Sequence, residues 1–225
     1  MLSLLLKDFF NVKKYLWQVP VYVIFGTFVT HKLPETTLAA VGTAATYILM
    51  LQACAHDDKN KSDLMLNSLP LPRHTIVLTK YLSVFIYALF AFLSYVIIWS
   101  LAQATGIGIG WFSLSVEIIA GAFTAMALMG AFYYPLYFRF GYIRSNIAAM
   151  FMFFAAFFLP GLAISYARVS ATAAHPGVGR LFRQAYHWLQ TQTEWQVAVY
   201  LIIIALILMI ISYRLSIRFY SRREF

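Results

Sequence analysis

The sequence predicts an all-α, polytopic membrane protein, and three observations lead to that fold class. Of its 225 residues, 62% are hydrophobic and only 11% are charged, whereas soluble domains carry about 25% charged residues. Six apolar stretches are each close to the roughly 20 residues that cross a bilayer as a helix. The basic residues are concentrated in alternate connecting segments. These features exclude a soluble globular fold and a disordered chain, and they predict one transmembrane domain over residues 1–225.

The apolar stretches place six transmembrane helices along the chain. Their predicted bounds are 15–30, 38–55, 81–101, 113–138, 146–166 and 195–213. The first stretch is short and contains Pro20. Lys13 and Lys14 stand at its start, and long basic side chains of this kind can extend a span by reaching the headgroup region.

Two further segments have the pattern of amphipathic helices that lie along the membrane. Residues 1–14 place leucine and phenylalanine at helical spacing on one face, with Lys7 and Asp8 on the other. Residues 167–194 form the longest external loop, in which 178–189 repeat an apolar stripe after Pro176 and Gly177. Such stripes are typical of interfacial helices. Packing against neighbouring protein is the alternative for both, and the two arrangements are compatible.

The distribution of basic residues predicts the orientation. Thirteen of the 17 lysines and arginines fall in the N-terminal segment, the loops after spans 2 and 4, and the C-terminal tail. Because basic residues are enriched on the cytoplasmic side, both termini are expected in the cytoplasm. The net charge of +9 is therefore interpreted as a topology signal with attraction to anionic lipid, and not as a nucleic-acid site.

The sequence offers little support for an enzyme. It contains no Gly-Lys dipeptide, which excludes the usual phosphate-binding loop for ATP. Cys54 is its single cysteine, so neither a disulfide within the chain nor a thiolate metal site can form. We predict no catalytic residue, metal site or bound cofactor. Glu117, four residues into span 4, is interpreted either as an interfacial carboxylate or as a polar element of an outer gate.

The most informative segment is the cytoplasmic loop of residues 56–73. It begins with charges of both signs, and Ser62 or Asp63 can cap a short helix that ends before Pro70. This helix would expose several leucines, which favours docking into a groove of a partner protein. On physical grounds alone, folding back onto its own bundle is an equal alternative.

Residues 66–73, followed by Ile76-Val77 and Lys80-Tyr81, resemble the corresponding loop in the small permeases of type-2 ATP-binding cassette (ABC) exporters. That loop reads approximately Leu-x-Ser-Leu-Pro-x-x-Arg and then Ile-Val-x-x-Lys-Tyr. The basic, aromatic tail of residues 216–225 is also similar to theirs, as is the six-span layout. Among these permeases, the chain most resembles those of bacterial exporters for amphipathic peptides and of related drug or bacteriocin resistance systems.

The resemblance implies that the loop contains a coupling helix, which docks on a separate ABC ATP-binding subunit that binds ATP and Mg²⁺. Residues 1–14 would be the connecting helix of the same contact. The implied docking residues are Asp57, Asp58, Lys59, Lys61, Asp63, Leu64, Leu66, Asn67, Leu69, Pro70 and Arg73.

The resemblance further implies a second permease, identical or homologous, with spans 2 and 5 lining the path between the two. Candidate path residues are Thr43, Thr46, Tyr47, Met150, Phe153, Phe154 and Phe157. In span 5, the alternative is that most of the aromatic rings face lipid or core. Small residues in spans 2 and 4, such as Gly42, Gly121 and Gly130, would permit close helix approach.

The function that the sequence predicts is therefore export of an amphipathic or hydrophobic substrate, most readily a peptide, across a bacterial cytoplasmic membrane by alternating access. Two alternatives stay open. One is a membrane sensor or immunity protein that sequesters a peptide without transport. The other is an ion-coupled carrier, although such carriers usually need ionisable groups in mid-membrane.

Overall fold

A computed structural model describes residues 2–60, 72–106, 110, 112–151, 154 and 193–222, which form helices and short connections. The helices are α1 (Leu2–Val12), α2 (Gln18–Thr30), α3 (Pro34–Lys59), α4 (Arg73–Thr105), α5 (Val116–Phe140) and α6 (Glu194–Ser221). A 3-10 turn, Lys13–Tyr15, joins α1 to α2. Residues 142–151 are also helical.

Four helices, α3 to α6, are long and apolar enough to cross a membrane. They coincide with predicted spans 2, 3, 4 and 6. The first predicted span corresponds to α2, which has 13 residues and is therefore about 20 Å long, less than the roughly 30 Å hydrocarbon core. The fifth span extends beyond the described residues, as do the predicted coupling segment and most of the external loop.

Local sequence explains where the helices begin and end. Ser115 accepts a hydrogen bond from the backbone N–H of Ile118 at the start of α5, and Thr193 forms a capping box with Gln196 at the start of α6. Gly106 follows α4 and Gly141 follows α5, with φ of 73° and 77°. These left-handed conformations favour glycine, because a Cβ would be strained there.

Glycines allow the helices to approach closely at two of the predicted positions. A Cβ added to Gly42 of α3 would lie 2.1 Å from Cε of Met126 in α5, and one added to Gly130 of α5 would lie 2.8 Å from Cγ2 of Val84 in α4. The predicted role is confirmed at Gly130, where the neighbour is the stiff side chain of Val84, whereas the neighbour of Gly42 is the flexible end of Met126. Gly121 differs, since a Cβ there would meet nothing within 4 Å.

The N-terminal helix α1 packs against α3 and α4 through a mixed face, in which Asp8 and Val12 are both buried. Asp8 is 3% exposed, whereas Leu6 and Phe10 are 47% and 61% exposed. One face of α1 thus contacts protein, while apolar side chains are exposed on the other. The predicted packing against neighbouring protein is observed, and the position of this helix along the membrane stays a prediction.

Candidate functional site: the loop end of the bundle

One end of the bundle gathers the features that the sequence associates with function. We call it the loop end: α3 ends there, α4 begins there, and residues 61–71 connect the two. Side-chain contacts bring α1 and the last turns of α5 and α6 to the same end. Arg73 of α4 donates to the backbone O of Ser221 at 2.9 Å, and Phe138 of α5 packs edge-on against Tyr220 of α6.

The centre of the loop end is an ion-pair cluster of four residues, Lys7, Asp8, Asp57 and Lys80. Nζ of Lys80 contacts Oδ2 of Asp57 and lies 3.0 Å from Oδ2 of Asp8. Nζ of Lys7 lies 2.8 Å from Oδ1 of Asp57. The cluster therefore joins three helices that are far apart in the sequence.

Three of these four charges are almost completely removed from solvent. Asp8 and Asp57 are each 3% exposed and Lys80 is 5% exposed, while the Lys7 side chain is 31% exposed. Burial of an ionised group is costly unless it is paired and hydrogen-bonded. The two ammonium groups balance the two carboxylates, and Ser83 adds a hydrogen bond to Asp8 at 3.4 Å. The cluster is satisfied only when α1, α3 and α4 are assembled together.

A second polar network ties α4 to α5 and α6 nearby. The Tyr81 hydroxyl forms hydrogen bonds with Oγ of Ser212, at 2.5 Å, and with Oγ of Ser216, at 2.8 Å. Ser212 in turn donates to the backbone O of Ala131 in α5. Two adjacent residues of α4 thus contact different helices: Lys80 binds α1 and α3, and Tyr81 binds α6.

The predicted docking residues fall into three groups. Asp57 lies inside the ion-pair cluster, so its contacts are with this chain. Asp58, Lys59 and Arg73 are exposed at the loop end. The other seven, residues 61–70, lie outside the described residues: Lys61, Asp63, Leu64, Leu66, Asn67, Leu69 and Pro70. Their docking role stays a prediction.

The candidate path residues are only partly brought together. Thr46 and Tyr47 are buried in α3 and Thr43 is half-buried, and the Tyr47 hydroxyl donates to Oδ1 of Asn146 at 3.5 Å. The start of predicted span 5 therefore lies beside span 2.

The remaining candidates on these spans are exposed or lie outside the described part of the chain. Met150 is 48% and Phe154 52% exposed. Phe153 and Phe157 fall outside the described residues. Glu117 is exposed in the first turn of α5, and its role as a gate stays a prediction.

Sequence reasoning missed that Asp8 and Lys80 are buried partners. Asp8 was assigned to a solvated polar face and Lys80 to the basic loop. A signal exists for Lys80, because Ile76, Val77 and Val84 lie three or four positions from it, on the same face of the helix, and all are buried. A charge within such a stretch predicts an internal partner, but the sequence does not specify which one.

Comparison with known families decides the relationship. A family model described as "ABC-2 family transporter protein" matches residues 3–221. The chain belongs to the ABC-2 transporter family. Comparison with curated proteins and with solved structures gives no match.

Membership confirms the resemblance found in the sequence and indicates an ABC permease subunit. Members of the ABC-2 family are membrane components that generally are not catalytic themselves and usually work with an ATP-binding subunit. In this ABC-2 family member, the loop end joins the segments that the resemblance assigns to that contact, namely α1 and the ends of α3 and α4 that flank residues 61–71.

Proposed function

We propose that this chain is the membrane-spanning permease subunit of an ATP-driven exporter. It would move an amphipathic or hydrophobic substrate, most readily a peptide, out of the cell. The observation that carries the proposal is the family match over residues 3–221. The buried cluster at the loop end supports it, because a permease driven by another subunit needs a rigid connection between the docking segment and the spans.

In this proposal, ATP and Mg²⁺ are bound by the partner subunit. Residues 61–71 and the exposed Asp58, Lys59 and Arg73 form the docking surface. When the ATPase subunits close, they displace the loop end. Because Lys80 and Lys7 bind the same Asp57 carboxylate, and Lys80 also binds Asp8, α1, α3 and α4 move together and not one by one.

The substrate path is proposed to lie between two permeases, identical or homologous, along spans 2 and 5. Thr43, Tyr47 and the exposed Met150 and Phe154 are its candidate wall residues. Methionine and phenylalanine give an adaptable apolar wall, which suits amphipathic cargo of varied sequence. The uneven distribution of basic residues supports a bacterial cytoplasmic membrane protein with both termini in the cytoplasm.

The deciding experiment is retention of the ATPase. A tagged full-length chain, co-expressed with the ATP-binding subunit encoded beside it, is expected to retain that subunit during purification. Leu66→Asp with Leu69→Asp should abolish retention and ATP-dependent transport in vesicles. Leu33→Asp is the matched control, because Leu33 is 64% exposed in the connection between α2 and α3.

Each other outcome has a defined meaning. If the unaltered chain retains no ATPase, the proposal fails. If the unaltered chain retains the ATPase and the double variant retains it equally well, docking lies elsewhere on the permease. Transport that survives an ATPase-dead partner but stops with a protonophore would establish an ion-coupled carrier, and protection against a peptide without ATP would establish a sensor or immunity protein.

A further inference from the structure

A pocket of about 170 Å³ opens at the loop end, and its lining includes none of the four residues of the ion-pair cluster. It lies between the 3-10 turn after α1 and the last two turns of α3. The side chains that determine its chemistry are Lys14, Tyr15, Gln52, His56, Lys59 and Asn60. A water molecule needs about 10–15 Å³ of such space, so the pocket can hold a group the size of a phosphate with its bridging waters.

The pocket is rich in hydrogen-bond donors and positive charge. Lys14 and Lys59 contribute two ammonium groups, and Gln52 and Asn60 contribute amides. The Asn60 side chain is fixed against His56, with Nδ2 of Asn60 2.7 Å from Nδ1 of the ring. Among the residues that the structure describes, no aspartate or glutamate lines the pocket, and the neighbouring Asp57 is already bound by Lys7 and Lys80. The arrangement attracts an anion.

The surroundings indicate which anion reaches it. Phe10 and Trp17, on either side of Lys14 in the sequence, are 61% and 68% exposed. Nζ of Lys14 lies 5.0 Å from the centre of the Tyr15 ring, and Nζ of Lys13 lies 6.0 Å from that of Phe10. Aromatic and basic side chains in this combination are typical of the headgroup region of a membrane.

We propose that this pocket binds the headgroup phosphate of an anionic phospholipid. The two lysines and the amides contact the phosphate, while the exposed rings of Phe10 and Trp17 lie against the adjoining acyl chains. The bound lipid thereby connects the 3-10 turn after α1 to the end of α3. Lipid binding at this site requires neither an ATPase nor a transported substrate. The site shares Lys59 with the proposed docking surface, so lipid retention is measured on the permease without the ATPase subunit.

The test uses the full-length chain in detergent and native mass spectrometry to count retained lipids, with phosphatidylglycerol and phosphatidylcholine supplied in equal amounts. The unaltered chain is expected to retain phosphatidylglycerol selectively. Lys14→Gln with Lys59→Gln should lower its affinity for phosphatidylglycerol roughly tenfold or more, since each basic residue near the headgroups contributes measurably. Lys13→Gln with Lys32→Gln removes the same charge from exposed positions outside the pocket and should retain the lipid.

The control measurements separate this site from its competitors. Thermal unfolding should be similar for both double variants, because all four lysines are outside the core. Equal loss of lipid in both would overturn the proposal in favour of general surface attraction. Binding of soluble glycerol phosphate as strong as that of the lipid would assign the pocket to a free phosphate ester. Normal lipid retention with lost ATPase retention in Lys14→Gln/Lys59→Gln would make it a protein-docking surface.

Discussion

The two ends of the bundle are held together by different interactions. At the loop end, buried charges and hydroxyl groups join residues that are widely separated in the chain, such as Lys80 with Asp8 and Tyr81 with Ser216. At the opposite end, where α2 ends and α3 begins, the described hydrogen bonds are local. Thr30 and Thr37 are 2.9 Å apart through their hydroxyls.

The difference shows at which end of the bundle the helices are harder to separate. Separating helices at the loop end would leave ionised groups unpaired away from water, at a high cost. Separating α2 from α3 at the opposite end breaks apolar packing, such as that of Val41 against Gly26, and one described side-chain hydrogen bond, that of Thr30 with Thr37. Among the described residues it leaves no ionised group unpaired, and Thr30 keeps its bond to the backbone O of Gly26. We therefore expect substitutions to be more damaging at the loop end, and the predictions below test this in order of decreasing effect.

The largest effect is expected for Lys80→Met. It leaves Asp8 without its main partner and Asp57 with only Lys7, in a site that excludes water. Breaking a buried ion pair in this way costs about 3–5 kcal/mol, so the midpoint of thermal unfolding in detergent should fall strongly. Lys32→Met, at an exposed position of the opposite end, should change stability by no more than about 0.5 kcal/mol.

A second variant distinguishes unpaired carboxylates from lost packing as the cause of the destabilisation. If unpaired carboxylates cause the loss, adding Asp8→Asn and Asp57→Asn to Lys80→Met should recover part of the stability. No recovery would mean that Lys80 acts through packing of its side chain, and the contrast between the two ends would then not be electrostatic.

A smaller effect is expected from packing along α5. Gly130→Ala places a methyl group 2.8 Å from Cγ2 of Val84, a stiff side chain, and should cost about 1–3 kcal/mol. Gly121→Ala, nearer the opposite end, meets open space and should be neutral or stabilising by up to about 1 kcal/mol. Comparing the two unfolding midpoints tests whether close packing is confined to one part of the helix. Equal effects would contradict it.

Arg73→Gln should destabilise by about 1 kcal/mol. It removes a charge-assisted hydrogen bond to the carbonyl groups at the C-terminus of α6, where a cation is favourable. Chemical denaturation in detergent measures the change, with Arg214→Gln, at an exposed position of α6, as control. The same loss in both variants would show that net charge, and not the contact with Ser221, is responsible.

The smallest effect is expected for Thr37→Val at the opposite end. The change removes the hydroxyl contact with Thr30 but keeps the shape of a completely buried side chain, so it should cost about 0.5–1 kcal/mol. Thr36→Val, at an exposed neighbour, serves as reference in the same unfolding assay. A loss as large as that of Lys80→Met would refute the proposed difference between the ends.

Much of this architecture could be predicted from the sequence. Apolar stretches of sufficient length predicted α3, α4, α5 and α6, because a bilayer requires about 20 apolar residues per helix. Gly42 and Gly130 indicated close approach before any partner was known. The start of α2 was harder to predict. A stretch that begins at Tyr15 and contains Pro20 does not show where a helix of 13 residues starts.

The candidate site was less predictable. Asp57 was recognised as part of a charged segment at the end of span 2, but was assigned to a surface. Helical periodicity tells which residues share a face, and it does not tell which other helix covers that face. The partners of Asp57 lie 50 and 23 positions away, so no local pattern could connect them.

The sequence by itself determined that this is a membrane protein, where four of its long helices run, and that it belongs to the ABC-2 family. The first two properties follow from composition and length, which are local, and family membership follows from the match over residues 3–221. Only the tertiary structure decided that Lys7, Asp8, Asp57 and Lys80 form one cluster and that α1 buries Asp8 while Leu6 and Phe10 are exposed. The reason is that burial of a charge depends on a partner, and partners come from distant parts of the chain through packing.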